Sequence, residues 1–218
     1  MLGPLADAAP LATVRPMDDP VARSLAIARV VNDPPRAHPQ AEGGVWRTNT
    51  DCYEFLAQHV APASRTLETG LGISTGLFAV WGTEHTCVVP DAGEVQRLQA
   101  WADERGIDRS RMTFEVGPSD QVLPRLEPTE LDLVFVDGAH NWPMAIVDWY
   151  YAAGRLREGG VVVFDDVQLP QVRLGLFEFL QADPRWEPVA MTDKWAACVR
   201  RSSGPLAEGH QDQAFLDG

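Results

Sequence analysis

The chain has 218 residues, 45% of them hydrophobic and 22% charged, and a formal net charge of −13. That suffices for one substantial soluble domain with a short addition, and the negative field disfavours nucleic acid as a partner. Three scattered cysteines without a CxxC pair point away from a disulfide framework and toward a reducing cytoplasm, and no apolar run is long enough to span a membrane.

The opening MLGPLADAAPLATVRP lacks the basic-then-apolar pattern of a secretory signal. SLAIARVV (24–31) reads as a short helix, and the Pro- and Gly-punctuated NDPPRAHPQAEGG (32–44) as a loop. Residues 1–47 are therefore expected to form an extension, a lid or a dimer contact. TNTDCYEFLAQHV suggests a helix capped between Thr48 and Asp51.

From there strands and helices alternate. Strands are expected at 64–69, 86–90, 111–117, 131–137 and 159–167, and helices at 74–82, 93–106, near 120–126, 141–156 and 170–183. Val95, Leu98, Trp101 and Ala102 mark one buried helical face. Trp142, Ala145, Ile146, Trp149, Ala153 and Leu156 mark another. WEPVAMT and KWAACVRR have no helix between them and read as an antiparallel hairpin at a sheet edge. The prediction is an α/β fold: a Rossmann-like, doubly wound sheet of about seven strands, mostly parallel, occupying 48–200. Residues 201–218 read as a flexible tail.

Chemistry should gather at the carboxyl ends of the strands. LETGLGISTG joins the first strand to its helix. Gly70 and Gly72 allow close approach of a ligand, and Ser74 or Thr75 can cap the helix, whose N-terminus favours an anion. Glu68 can hold an amine or act through the backbone. A nicotinamide site prefers GxGxxG, whereas Gly70, Gly72 and Gly76 are spaced GxGxxxG behind an acid. Asp91 follows the second strand 19 residues past Gly72, suiting it to a ribose diol or, alternatively, to a turn.

That acid and glycine spacing resemble the first motif of class I S-adenosylmethionine-dependent methyltransferases. The segment DGAHNWPMAIVDWYYAAGRLREGGVVVFDD is similar to that of the small-molecule O-methyltransferases related to macrocin and catechol O-methyltransferases. The resemblance spans about residues 64–200. It implies S-adenosylmethionine as cofactor, with Glu68, Gly70, Gly72, Ser74, Asp91, Ser119 and Asp137 at its site and Ser119 by the adenine, where it can equally be a helix cap. It also implies a magnesium ion held by Asp137, Asp165 and Asp166; one of the last two can instead cap a helix. Such an ion would acidify and orient an acceptor hydroxyl. Relatives that carry an acid two residues after the first metal-position Asp use it as the base, but this chain has Ala139. Asp137 and His140 are then the catalytic candidates. His140, near pKa ~6.5 if unperturbed, either accepts a proton or holds the turn. Asp148 is expected to be solvated or at the sheet edge, and Trp46, Thr48 and Asp51 either cover the site or cap a helix. Trp142, Lys194 and Trp195 are candidate substrate-cavity residues.

The leading reading is O-methylation of a small hydroxylated metabolite, a sugar or phenolic natural product. No nucleic acid or membrane is expected as partner, and a homo-oligomer is left open. The rivals are an NAD-dependent oxidoreductase and a non-catalytic cofactor-binding relative.

Overall fold

Each βα crossover from Arg65 onward returns the next strand parallel to the last, as right-handed connections in such units do. The computed structural model describes residues 19–127, 129–202 and 209; residues 1–18 and nearly all of the expected tail lie outside the described residues. The strands are β1 (Arg65–Thr69), β2 (Glu84–Val89), β3 (Met112–Val116), β4 (Leu131–Val136), β5 (Leu156–Phe164), β6 (Trp186–Met191) and β7 (Ala196–Arg200). They form one sheet in the order β3-β2-β1-β4-β5-β7-β6. β1 to β5 pair in parallel, and β7 runs antiparallel between β5 and β6. This is the Rossmann-like sheet expected, with the C-terminal hairpin at its edge.

Helices cover both faces. α1 (Pro20–Asn32), α2 (Thr50–Gln58), α3 (Ile73–Trp81) and α4 (Ala92–Glu104) lie on one side. α5 (Ser119–Val122), α6 (Met144–Ala153) and α7 (residues 170–182, with a π-helical turn at Arg173–Phe177) lie on the other. β4 shows why a continuous apolar run was needed. Leu133 and Phe135 pack toward the first helical layer, and Val134 and Val136 toward the second, all essentially without solvent contact.

Two expectations change. β5 begins at Leu156 rather than 159, because Leu131 N–H already bonds the Arg155 carbonyl; Gly159, at positive φ, lies within the register shift between Leu131 and Leu133. Trp142 does not join the buried stripe of α6. The helix starts only at Met144, so Trp142 precedes it, is 64% exposed and lies against Gly175 of α7.

Candidate active site

Sheet order reverses between β1 and β4, and the crevice above that switch point is where doubly wound folds bind ligands. A cavity of about 680 Å³ opens there. It runs from the β1–α3 turn across Gly117–Ser119 to Asp137–His140, Asp165, Asp166 and Lys194, with His38, Trp46 and Arg47 from the segment before α2 closing one side.

The glycine turn is shaped by close approach. Gly70 has φ +87°, and a Cβ there would lie 2.9 Å from the Asp137 carbonyl carbon. Gly72 has no neighbour nearer than 3.8 Å to such a Cβ, which leaves its cavity side open to a ligand. Its N–H donates to Thr75 Oγ1 at 2.9 Å.

Glu68 does not reach the cavity. It is fully buried beneath the α3 N-terminus, where it accepts hydrogen bonds from Ser74 Oγ and, at 2.6 Å, from Thr75 Oγ1. Its role toward a ligand passes through Ser74, which does line the cavity. Among the described residues, Glu68, His85 and Cys87 form the one cluster of three such groups with candidate metal-ligand atoms within 4.8 Å of one another. The geometry suits a structural network better than an ion. Both Glu68 oxygens already accept hydroxyl protons, Cys87 Sγ donates to the Gly70 carbonyl at 3.1 Å, and burial followed by the Glu68 charge pushes the thiol well up.

After β2 the acid in the cavity is Glu94 rather than Asp91. Asp91 is exposed, caps α4 by accepting from Gly93 N–H at 2.7 Å and pairs with Arg97 at 3.3 Å. One helical turn on, Glu94 is buried against His38 Nδ1 at 3.1 Å, and His38 Nε2 donates to the Leu71 carbonyl at 2.7 Å. His38 also stacks on Trp46, with ring centroids 4.7 Å apart. Nothing in the Pro-rich stretch 32–44 signalled His38, because its partners come from two distant segments.

The carboxylates at the ends of β4 and β5 are brought together by register. Val136 pairs with Phe164, and Phe164 with Ala196. One step further sets Asp137 beside Asp165, and the antiparallel return of β7 sets Lys194 beside Asp166. Lys194 Nζ lies 3.1 Å from Asp165 Oδ2 and contacts Asp166 Oδ1 closely. Thr48 Oγ1 donates to Asp165 Oδ1 at 2.6 Å, His140 Nε2 to Asp166 Oδ2 at 2.8 Å, and Gln168 Nε2 to Asp166 Oδ1 at 2.6 Å. Every oxygen of Asp165 and Asp166 is thus engaged by a donor of the chain itself. The divalent ion implied by the resemblance does not fit this arrangement. An ammonium stands between the two acids, and the three carboxylates form no cluster of converging ligand atoms.

Electrostatics follow from that packing. Against the upward pull of burial, hydrogen bonds from His140 and Lys194 hold Asp166 well below the usual carboxylate range. Burial, with the Asp165 charge, pushes Asp137 up to about 8, although 28% of its side chain is still open to the cavity. Burial alone would lower His140, but bonding to Asp137 and Asp166 outweighs it and raises the ring to about 9. His140 is therefore not the mostly neutral imidazole expected from its ordinary value; at pH 7 its nearest role is as a cation.

The other candidates divide. Ser119 and Trp46 line the cavity, and Thr48 holds Asp165. Asp51 accepts from Trp195 Nε1 at 3.2 Å, and neither lines the cavity; nor does Trp142. Asp148 is fully buried rather than solvated, because α6 carries it under the Gly138 turn. Burial raises its pKa, opposed by the Ser119 and Thr69 hydroxyls, neither of which reaches good hydrogen-bond geometry with its oxygens.

A doubly wound sheet whose first glycine turn follows an acid, with its ligand cavity over β1 and β4, is the architecture of the class I S-adenosylmethionine-dependent methyltransferases, and this chain is one of them. It belongs to the family whose model is described as a methyltransferase domain and matches residues 55–167, over half the chain. The solved structure of cofactor-bound Rv0187 from MTB is similar at 20% identity and TM-score 0.61, over 87% of this chain and 93% of that one. The O-methyltransferase TomG from Streptomyces achromogenes, solved with SAM, is similar at 18% identity and TM-score 0.58, over 87% and 92%. An O-methyltransferase from Bacillus cereus with SAH gives 18% and 0.57, over 87% and 94%. Among curated proteins no match is found.

Proposed function

We propose that the protein methylates a hydroxyl oxygen of a small metabolite. The observation that carries this reading is the single cavity that joins the glycine turn to the carboxylate cluster, large enough for a cofactor and a small acceptor side by side. The O-methyltransferase neighbours, one of them involved in tomaymycin synthesis, support oxygen as the acceptor atom and a natural-product setting. Three buried free cysteines support a reducing cytoplasm. Among the described residues no helix is long and apolar enough to cross a membrane.

S-adenosylmethionine, when bound, supplies a methyl group on a positively charged sulfur. Gly70, Gly72 and Ser74 would hold its amino-acid end, Glu94 with His38 the ribose, and Ser119 the adenine side. Asp137 sits at the junction of cofactor and acceptor spaces. With the cofactor bound, its sulfonium would supply the methyl group to the acceptor oxygen and keep the electron pair of the broken bond, and Asp137, in the ionised form that grows as pH rises through about 8, would take the hydroxyl proton. A carboxylate raised by burial is a better proton acceptor than an exposed one. Trp46 and Arg47, on the segment before α2, would exclude water, so the lid is the loop after α1, while α1 itself belongs to the core.

Isothermal calorimetry with the demethylated cofactor product, in chelator, tests this directly. Saturable one-to-one binding is expected. Wild-type protein that takes up no heat sinks the cofactor assignment, and with it the function.

A further inference from the structure

The positions at which the resemblance places a divalent ion are held by a side chain. Lys194 reaches in from the turn before β7, its Nζ bridging Asp165 and Asp166, and its side chain, 22% exposed, lines the cavity. The bridge follows from topology: β7 pairs with β5, so the residue two places before Ala196 must lie beside the residue two places after Phe164. Thr48 and His140 also donate to the two acids, so each of their four oxygens already accepts from a donor of the chain itself.

We propose that the Lys194 ammonium takes the place of a divalent cation in this cavity, holding the acceptor oxygen for a metal-independent transfer, and that the acceptor is therefore an already acidic hydroxyl, a phenol or enol, rather than a sugar alcohol. The restriction on substrate is physical. An ammonium is one charge, and two carboxylates here share it, so it lowers the pKa of a nearby hydroxyl far less than a dication does. A sugar hydroxyl would remain un-ionised beside it, whereas a phenol is within its reach. Lys194 stays protonated throughout. The new oxygen–carbon bond uses the acceptor's electron pair, sulfur keeps the pair of the old bond, and the acceptor proton leaves to a cavity carboxylate. This inference rests on the methyl-transfer reading above.

The test has three arms, all with wild-type protein and the Lys194→Met variant. Calorimetry with the demethylated cofactor product in chelator comes first; loss of that binding in wild type removes the parent reading, and this one falls with it. The second arm adds 4-nitrocatechol, whose visible spectrum reports ionisation. In chelator, wild type should shift the probe to its ionised form, and Lys194→Met should bind it roughly tenfold more weakly and leave the spectrum unshifted. If Lys194→Met does not fold, Lys194→Met/Asp166→Asn removes the charge with less uncompensated acid and carries the same expectation. A wild-type shift that needs added magnesium, or one that survives in both variants, overturns the proposal. So does methyl transfer to a sugar hydroxyl in chelator. The third arm is Mn²⁺ alone, followed by electron paramagnetic resonance. Wild type should bind none at millimolar concentration, and Lys194→Met should gain a site. Wild-type binding that Asp165→Asn abolishes overturns the proposal.

Discussion

Substituting Gly70 by alanine tests the closest approach in the glycine turn. The residue has φ +87°, a region that alanine enters at about 1–2 kcal/mol. The new Cβ would also press on backbone, not on a flexible side chain: it would lie 2.9 Å from the Asp137 carbonyl carbon and 3.3 Å from Gly138 Cα. Those atoms belong to the end of β4, whose Asp137 N–H bonds the Thr69 carbonyl at 3.1 Å, so relief requires β1 and β4 to move apart. Overpacking of this kind adds about 1–3 kcal/mol. The sum is roughly 2–5 kcal/mol, a large part of the ~5–15 kcal/mol by which domains are stable. For a domain of this size, that lowers Tm by roughly 4–20 °C. Gly82→Ala is the control. Gly82 also has positive φ, at +71°, but nothing lies within 4 Å of its would-be Cβ, so only the conformational part applies. Thermal unfolding and cofactor-product calorimetry on both variants separate the two contributions. Gly70→Ala should be clearly the less stable and should lose binding, while Gly82→Ala binds normally. Equal Tm values with retained binding in both would refute the claim that the turn is packed against β4.

Three more outcomes follow from the site. Asp91→Ala should remove a helix cap and an exposed ion pair with Arg97, about 1 kcal/mol of stability, and leave product binding intact, whereas Glu94→Gln should weaken binding; calorimetry showing the reverse order would restore Asp91 as the ribose acid. Thr48→Val should lower stability by about 1.5–3 kcal/mol, because it strips a hydrogen bond from the buried Asp165 charge; denaturant midpoints measure this, and a change near zero would mean Lys194 alone suffices. Stability should also decline with rising pH. The folded state raises His140 from 6.5 to about 9 and Asp137 to about 8, so it holds protons that the unfolded chain releases; their contribution is complete below the unfolded values and fades as pH climbs through about 8 to 9. Tm measured between pH 6 and 9.5 should fall in wild type and flatten in Asp137→Asn/His140→Gln. A wild-type Tm that is constant or rising over that range contradicts the assigned protonation.

How much of this was legible in the chain depended on the distance between partners. The apolar run Leu133–Val136, the glycines at 70 and 72 and the acids closing β4 and β5 are local patterns, and each is dictated by its own stretch. A strand buried on both faces must be apolar throughout, a turn beside a neighbouring strand end must lack a Cβ, and parallel strands put their ends on one side. Asp137, Asp165 and Asp166, the set the resemblance implied, line one cavity, although their oxygens do not converge on a point. What fills the space between them was not written locally. Lys194 reaches it because β7 inserts antiparallel beside β5, and His38 reaches Glu94 because the loop after α1 folds back over the Leu71 turn. Asp91 and Glu94 differ by less than one helical turn, and only the orientation of α4 decided which faces the cavity. Spacing along the chain determines which residues share an element and a sheet edge. Which charges neutralise one another depends on register and on the return of distant segments, and those only the tertiary structure decided.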